Sequence, residues 1–166
     1  MSYMKKLQFT FIGIVVVSSI LLAYNIISTY NFKHNPLSQD IIYKINKKEY
    51  ELLAKIKNTY HINAKVPVEI STKMNNRLYG LCTLDQNNKI KIYLNKKMFQ
   101  ESTDYMIEDV LPHEYAHALM FMFNKTTNKN GGHTKDWQRI CQNIGGVRCE
   151  RFVDSNDIII SKRNIF

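Results

Sequence analysis

Residues 7–32 of the chain contain no Asp, Glu, Lys or Arg. As a helix, the mostly apolar stretch LQFTFIGIVVVSSILLAYNIIS within them is long enough to cross a hydrocarbon core of about 30 Å at about 1.5 Å per residue. A helix with no polar face fits poorly inside a small domain, which disfavours a buried core helix. The sequence therefore predicts a transmembrane anchor at residues 7–29, after a basic N-terminal tail at residues 1–6.

A cleaved secretory signal is the alternative, because Lys5 and Lys6 form a basic region before the apolar run. Ala23 could end such a signal, but Leu21 is large for a cleavage site and apolar residues continue to Ile27. We therefore prefer an uncleaved single-pass anchor. Lysines both precede and follow the span, so the orientation stays open, although the short basic start favours a domain on the extracytoplasmic side.

The rest of the chain has the length of one domain rather than two. Residues 30–38 mix Asn, Pro and Ser and predict a linker, which leaves residues 39–166 for the folded domain. Without Lys5 and Lys6 the formal net charge falls from +9 to +7, which favours anionic partners such as acidic lipid headgroups, acidic proteins or nucleic acid. A solvated lysine-rich surface is the preferred interpretation of this charge. No arginine cluster is interleaved with aromatics, so nucleic acid has no specific motif here, and no motif addresses the oligomeric state.

Hydrophobic periodicity in the first half of this domain predicts a helix followed by strands. Apolar residues recur at helical spacing from Ser38 to about Tyr60, against a lysine-rich face. Residues 66–70 then alternate apolar and polar, as in a strand, and residues 78–94 predict a β-hairpin around the polar turn 85–88.

The second half predicts further helices, which makes the fold class α+β. Ser102 or Thr103 can cap a long helix in which Pro112 should bend the helix or restart it. Thr134 can cap a short helix that a glycine pair ends, and the tail 154–166 predicts a final strand.

The long helix carries the sequence HEYAH, an H-E-x-x-H motif. His113 and His117 are four residues apart and lie on one helix face, where both imidazoles can bind one ion. Zinc in a catalytic site takes three protein ligands and a water, and Glu114 would stand beside that water as the general base. A pair of exposed histidines is the alternative, but the apolar surroundings of the motif argue for a buried helix.

A third ligand must come from elsewhere in the chain. The candidates are His34, His61, His133, Asp136 and Glu150. His133 is the strongest, because it follows a polar, glycine-containing stretch that can loop back and present it at a helix start. The sequence thus predicts one catalytic Zn²⁺ ion.

The segment LPHEYAHALMFMFNKTTNKNGGHTKDWQRICQNIGG resembles the metal-binding core of the SprT-like (SprT/Spartan) zinc metallopeptidases. The upstream hairpin RLYGLCTLDQNNKIKIYLN is also similar, so the resemblance covers residues 40–152 or so. It implies a zincin-like fold, in which a small antiparallel or mixed sheet packs on the H-E-x-x-H helix. It also implies His113, His117 and His133 as metal ligands, Glu114 as general base and Trp137 as a packing aromatic.

This sequence departs from the family pattern in two respects. Thr134 stands where a glycine usually follows the third histidine, which puts the local loop shape in doubt, and the cysteines of a C-terminal zinc ribbon are not found in these residues. The removal of DNA-crosslinked proteins, which the Spartan-type members imply, would require access to DNA that an anchored domain does not obviously have.

Peptide substrates of such an enzyme should lie extended beside the strand Lys89–Leu94 and pair with its backbone. Tyr79, Tyr93 and Arg151 are candidates to stabilise an oxyanion, although packing or solvation is the simpler role for each.

The cysteines Cys82, Cys141 and Cys149 are odd in number and form no C-x-x-C pair. Cys141 and Cys149 could form a disulfide in an exported domain, but buried free thiols are the preferred interpretation.

The sequence therefore predicts a membrane-anchored zinc metalloendopeptidase, a hydrolase that cleaves peptide bonds of protein substrates through a zinc-activated water. The alternatives are a non-catalytic zinc or nucleic-acid binding module and an anchored adaptor with a relic site. An intact Glu114 argues against a closed structural zinc site, which needs no base.

Overall fold

The computed structural model describes residues 3–75, 77–125 and 132–150. The chain forms two compact units, Met1–Pro36 and Leu37–Phe166. The predicted strand in the tail lies outside the described residues.

The first unit is the single helix α1, Tyr3–His34. None of its residues is buried, and its length and apolar composition suffice to cross a membrane. It extends beyond the predicted anchor at both ends, because no proline or charged cluster interrupts the helix before Pro36. Residues 30–34, predicted as linker, are therefore helical.

The second unit begins with helix α2, Gln39–Tyr60, as predicted. The Ser38 hydroxyl caps it by accepting from the backbone N–H of Ile41. Its apolar face buries Ile45, Leu52 and Ile56, which are five per cent exposed or less.

A mixed sheet of three strands follows, as the predicted α+β class requires. The strands are β1 (Val68–Ser71), β2 (Gly80–Leu84) and β3 (Ile90–Asn95). Strand β3 lies in the middle, parallel to β1 and antiparallel to β2. The predicted hairpin joins β2 to β3, and the Asp85 carboxylate closes its turn by accepting from two backbone N–H groups.

Four short helical elements lead from the sheet into the motif and beyond it: α3 (Lys96–Glu101), α4 (Thr103–Tyr105), a π-helical turn (Met106–Val110) and α5 (Leu111–Met122). Helix α6 (Lys135–Asn143), the last helix of the described residues, packs on α5. Thr134 caps α6 as predicted, and of the two predicted caps Ser102 and Thr103, Ser102 caps α4.

Cys141 and Cys149 form a disulfide, so the preferred interpretation of free thiols is wrong. The glycine pair between them lets the chain turn back at the end of α6. Gly145 has φ +94°, and a Cβ on Gly146 would lie 2.5 Å from the Cys141 sulfur. Cys82 is a free thiol.

Candidate metal centre

The restart of the helix at Pro112 sets the position of the H-E-x-x-H motif. Proline has no N–H and its ring crowds the carbonyl one turn earlier, so a regular α-helix cannot run through it. In the preceding π-helical turn, the N–H of Leu111 bonds to the carbonyl of Met106, five residues back. Pro112 then lies in the first turn of α5, where a missing donor is tolerated.

His113, His117 and His133 converge on one point. Their Nε2 atoms lie 3.3 Å apart between His113 and His117, 3.2 Å between His117 and His133, and 2.9 Å between His133 and His113. Two imidazole nitrogens bound tetrahedrally at the usual zinc distance lie about 3.3 Å apart. The donor set and its spacing therefore fit one zinc ion.

Local sequence brings His133 to this point. Gly132, which precedes His133, has φ +82°. A Cβ added to Gly132 would lie 3.5 Å from the His117 ring. Thr134, which follows, accepts a hydrogen bond from the N–H of Trp137 at 3.3 Å and starts α6. The departure from the family glycine at Thr134 thus supplies a helix cap.

Trp137 packs against all three imidazoles. Its ring centroid lies 4.6 Å from that of His113, 5.2 Å from that of His117 and 4.5 Å from that of His133. The indole is 1% exposed, so it shields the histidines from water on this side.

The pKa values of the two α5 histidines favour metal binding. Burial and the neighbouring histidines lower the pKa of His113 to about 4 and that of His117 to about 3. Both imidazoles are therefore neutral at pH 7, and the neutral form is the one that binds a metal.

Glu114 lies against strand β2 and is only 6% exposed. A Cβ on Gly80 would stand 2.6 Å from its Oε1, and the backbone of Cys82 hydrogen-bonds to its carboxylate. Burial raises the pKa of Glu114 to about 8, while the Cys82 hydrogen bond lowers it. A cation held by the three histidines would favour the carboxylate form.

Residues 37–160 match the SprT-like family. The chain belongs to the SprT-like family. This match spans well over half of the sequence and contains every residue of the histidine cluster and Glu114.

Individual SprT proteins are similar to parts of the chain. The chain is 27% identical over 95 residues to Protein SprT of Glaesserella parasuis, which is 57% of each chain. It is 36% identical over 61 residues to Protein SprT of Shigella boydii, and 34% identical over 61 residues to that of Escherichia coli K12. These matches span 57% of the first relative and 35% of the other two. No solved structure matches significantly.

A polar contact between α5 and α2 involves Glu49, a residue that the sequence did not single out. The hydroxyl of Tyr115, which is fully buried, donates to the carboxylate of Glu49 on α2. Glu49 lies four residues after Ile45 and three before Leu52, so the helical spacing already placed a carboxylate at the buried face. A carboxylate at the edge of a buried helix face gains from a hydrogen-bond partner, and this rule could have drawn attention to Glu49.

The remaining predicted residues lie in other settings. Tyr79 packs edge-on against Tyr105, with ring centroids 5.6 Å apart, and Tyr93 lies beneath the Lys91 ammonium. Among the other third-ligand candidates, Asp136 forms ion pairs with Lys125 and Arg139. Arg151 lies outside the described residues.

The prediction that a substrate pairs with Lys89–Leu94 is wrong for this SprT-like domain. Strand β3 is flanked on both sides, by β1 and by β2, so its backbone groups are already used. Among the described residues, β2 is the edge strand beside α5 and Glu114. Sequence alternation identifies a strand but not its neighbours.

Proposed function

We propose that this protein is a membrane-anchored zinc metallopeptidase that hydrolyses peptide bonds of protein substrates. The observation that carries the proposal is the convergence of the His113, His117 and His133 Nε2 atoms within 3.3 Å of one another, beside a buried Glu114. Membership of the SprT-like family supports it.

The three histidines would hold the ion, and Trp137 would keep their rings in place. When bound, zinc lowers the pKa of a water ligand and polarises a carbonyl. Glu114 accepts the proton of the attacking water and passes it to the leaving amine. Strand β2 holds Glu114 for this task, since the Cys82 backbone hydrogen-bonds to its carboxylate.

The substrate would bind along the edge of β2. An extended peptide can add to an exposed sheet edge through backbone hydrogen bonds. The edge runs past Gly80, which touches Glu114, so a peptide paired there passes close to the general base. This placement replaces pairing with the central strand.

Helix α1 would anchor the enzyme in a membrane. It offers 32 helical residues, of which the most apolar window has a mean hydropathy of 2.2. Resistance of the full chain to alkaline carbonate extraction would support an anchor. Release into the soluble fraction would contradict it.

The deciding experiment measures zinc content and casein cleavage for the full chain in detergent, beside Glu114→Gln and His133→Ala. We expect the native chain to bind one zinc and cleave, Glu114→Gln to keep zinc and lose cleavage by about 10²-fold or more, and His133→Ala to lose both. His61→Ala is the matched control and should behave as native. Zinc binding without cleavage that depends on Glu114 would instead indicate a non-catalytic zinc module.

A further inference from the structure

The disulfide between Cys141 and Cys149 closes a loop that starts on the helix following the third histidine. Cys141 belongs to α6, whose first turn carries Trp137 and follows His133 directly. The chain reverses at residues 144–146, where the N–H of Gly146 bonds to the carbonyl of Cys141 at 2.8 Å. The disulfide then fixes Cys149 beside α6, with 5.8 Å between the two Cα atoms.

After this turn, Arg148 contacts the helical stretch that precedes the first histidine. The backbone of Arg148 hydrogen-bonds to the Asp109 carboxylate, and the Arg148 guanidinium lies 5.9 Å from the centre of the Tyr105 ring. Tyr105 and Asp109 are four residues apart, on successive turns that continue into α5. Arg148, the residue next to Cys149, thus contacts the helical segment that leads to His113.

These contacts link the two halves of the candidate metal centre. His113 and His117 come from α5, whereas His133 precedes α6, and residues 126–131 between them are outside the described chain. The Cys141–Cys149 disulfide holds Arg148 near α6, and the hydrogen bond of Arg148 to Asp109 links this loop to the helical turn before α5.

We propose that the Cys141–Cys149 disulfide, through Arg148 and Asp109, positions the metal-binding histidines, and that the domain therefore works on the oxidising side of its membrane. This inference rests on the proposed zinc site but not on peptidase activity. It narrows the substrates to proteins of an oxidising compartment, because structural disulfides persist there and are reduced in the cytosol.

Formation of the bond requires a disulfide donor, such as a thiol–disulfide oxidoreductase. The two thiols lose two protons and two electrons, and the donor disulfide accepts them to become two thiols. Burial and the Glu114 charge raise the pKa of Cys82 to about 12, so this third thiol is a poor competitor in the exchange.

The compartment is tested by counting thiols in membranes of cells that express the full chain. Thiols are trapped with acid, the protein is denatured, and free thiols are labelled with a polyethylene-glycol maleimide. Of the three cysteines, we expect one to be labelled before reduction and all three after it. The Cys82→Ser variant should show none before reduction. Three adducts on the native chain before reduction would overturn the inference, whatever the zinc or cleavage result.

The positioning role is tested by zinc affinity in a chelator competition, at a temperature where circular dichroism shows every variant folded. We expect the double variant Cys141→Ser/Cys149→Ser, and Asp109→Ala with its disulfide intact, to bind zinc about tenfold more weakly. Asp104→Asn, a change at an exposed acid of the same helical stretch, should bind as native. Lower melting temperatures with unchanged zinc affinity would show a purely structural bond and overturn the positioning role.

Discussion

Gly80 of the edge strand lies against Glu114 of the motif helix, so closely that an added Cβ would stand 2.6 Å from Oε1. The glycine therefore lets strand and carboxylate approach each other. In this way, the backbone of a strand determines where the proposed general base sits.

We expect Gly80→Ala to displace the Glu114 carboxylate, because the nearest atoms to the new methyl group are those of this side chain. A misplacement of about 1 Å at a catalytic group can lower the rate by about 10²-fold. Casein cleavage should fall accordingly while zinc is retained. Gly13→Ala is the matched control, since nothing lies within 4 Å of its added Cβ. Native cleavage by Gly80→Ala would argue against this contact.

Zinc should stabilise the fold, because the unfolded chain has no preformed cluster of histidines. At a free zinc concentration of about 100 times the dissociation constant, the free energy of unfolding should rise by about 2.7 kcal/mol. Thermal unfolding with and without chelator measures this difference. His113→Ala should abolish the difference and His61→Ala should retain it. A chelator effect that survives in His113→Ala would place the metal elsewhere.

Tyr115 and Glu49 should stabilise the domain as a pair, since their hydrogen bond joins α5 to α2. We expect Tyr115→Phe to lower the free energy of unfolding by about 1–3 kcal/mol, because it leaves the Glu49 carboxylate without this donor. A double-mutant cycle with Glu49→Ala should give a coupling energy of about 1 kcal/mol. The exposed Tyr43→Phe serves as control. Strict additivity of the two changes would show that the bond contributes nothing.

Thr134 should stabilise the domain through helix α6, because its hydroxyl caps the helix that starts shortly after His133. Thr134→Ala should reduce the free energy of unfolding by about 1 kcal/mol, and Thr134→Ser should restore most of it. Denaturant unfolding of both variants checks this expectation. Equal stability of the alanine and serine variants would contradict the capping role.

Much of the local structure followed from the sequence. The boundaries of α2, the hairpin and the caps Ser102 and Thr134 were predictable, because caps and hydrophobic periodicity act over a few residues. The break at Pro112 was predicted for the same reason, although the sequence did not show that a π-helical turn would absorb it.

Contacts between distant residues were less accessible. The sequence predicted β3 but not its central place, and it offered Cys141 and Cys149 as a pair without deciding between thiols and a disulfide. Strand order and disulfide geometry depend on how the chain folds back on itself, which a spacing along the sequence does not specify.

By itself, then, the sequence determined the apolar N-terminal helix, the α+β class, and a helix that presents His113 and His117 on one face, because these depend on local periodicity. The tertiary structure alone brought His133 to within 3.3 Å of both and set Glu114 against Gly80. It also joined Arg148 to Asp109. These pairs are far apart along the chain, and packing against α5 brings their members together.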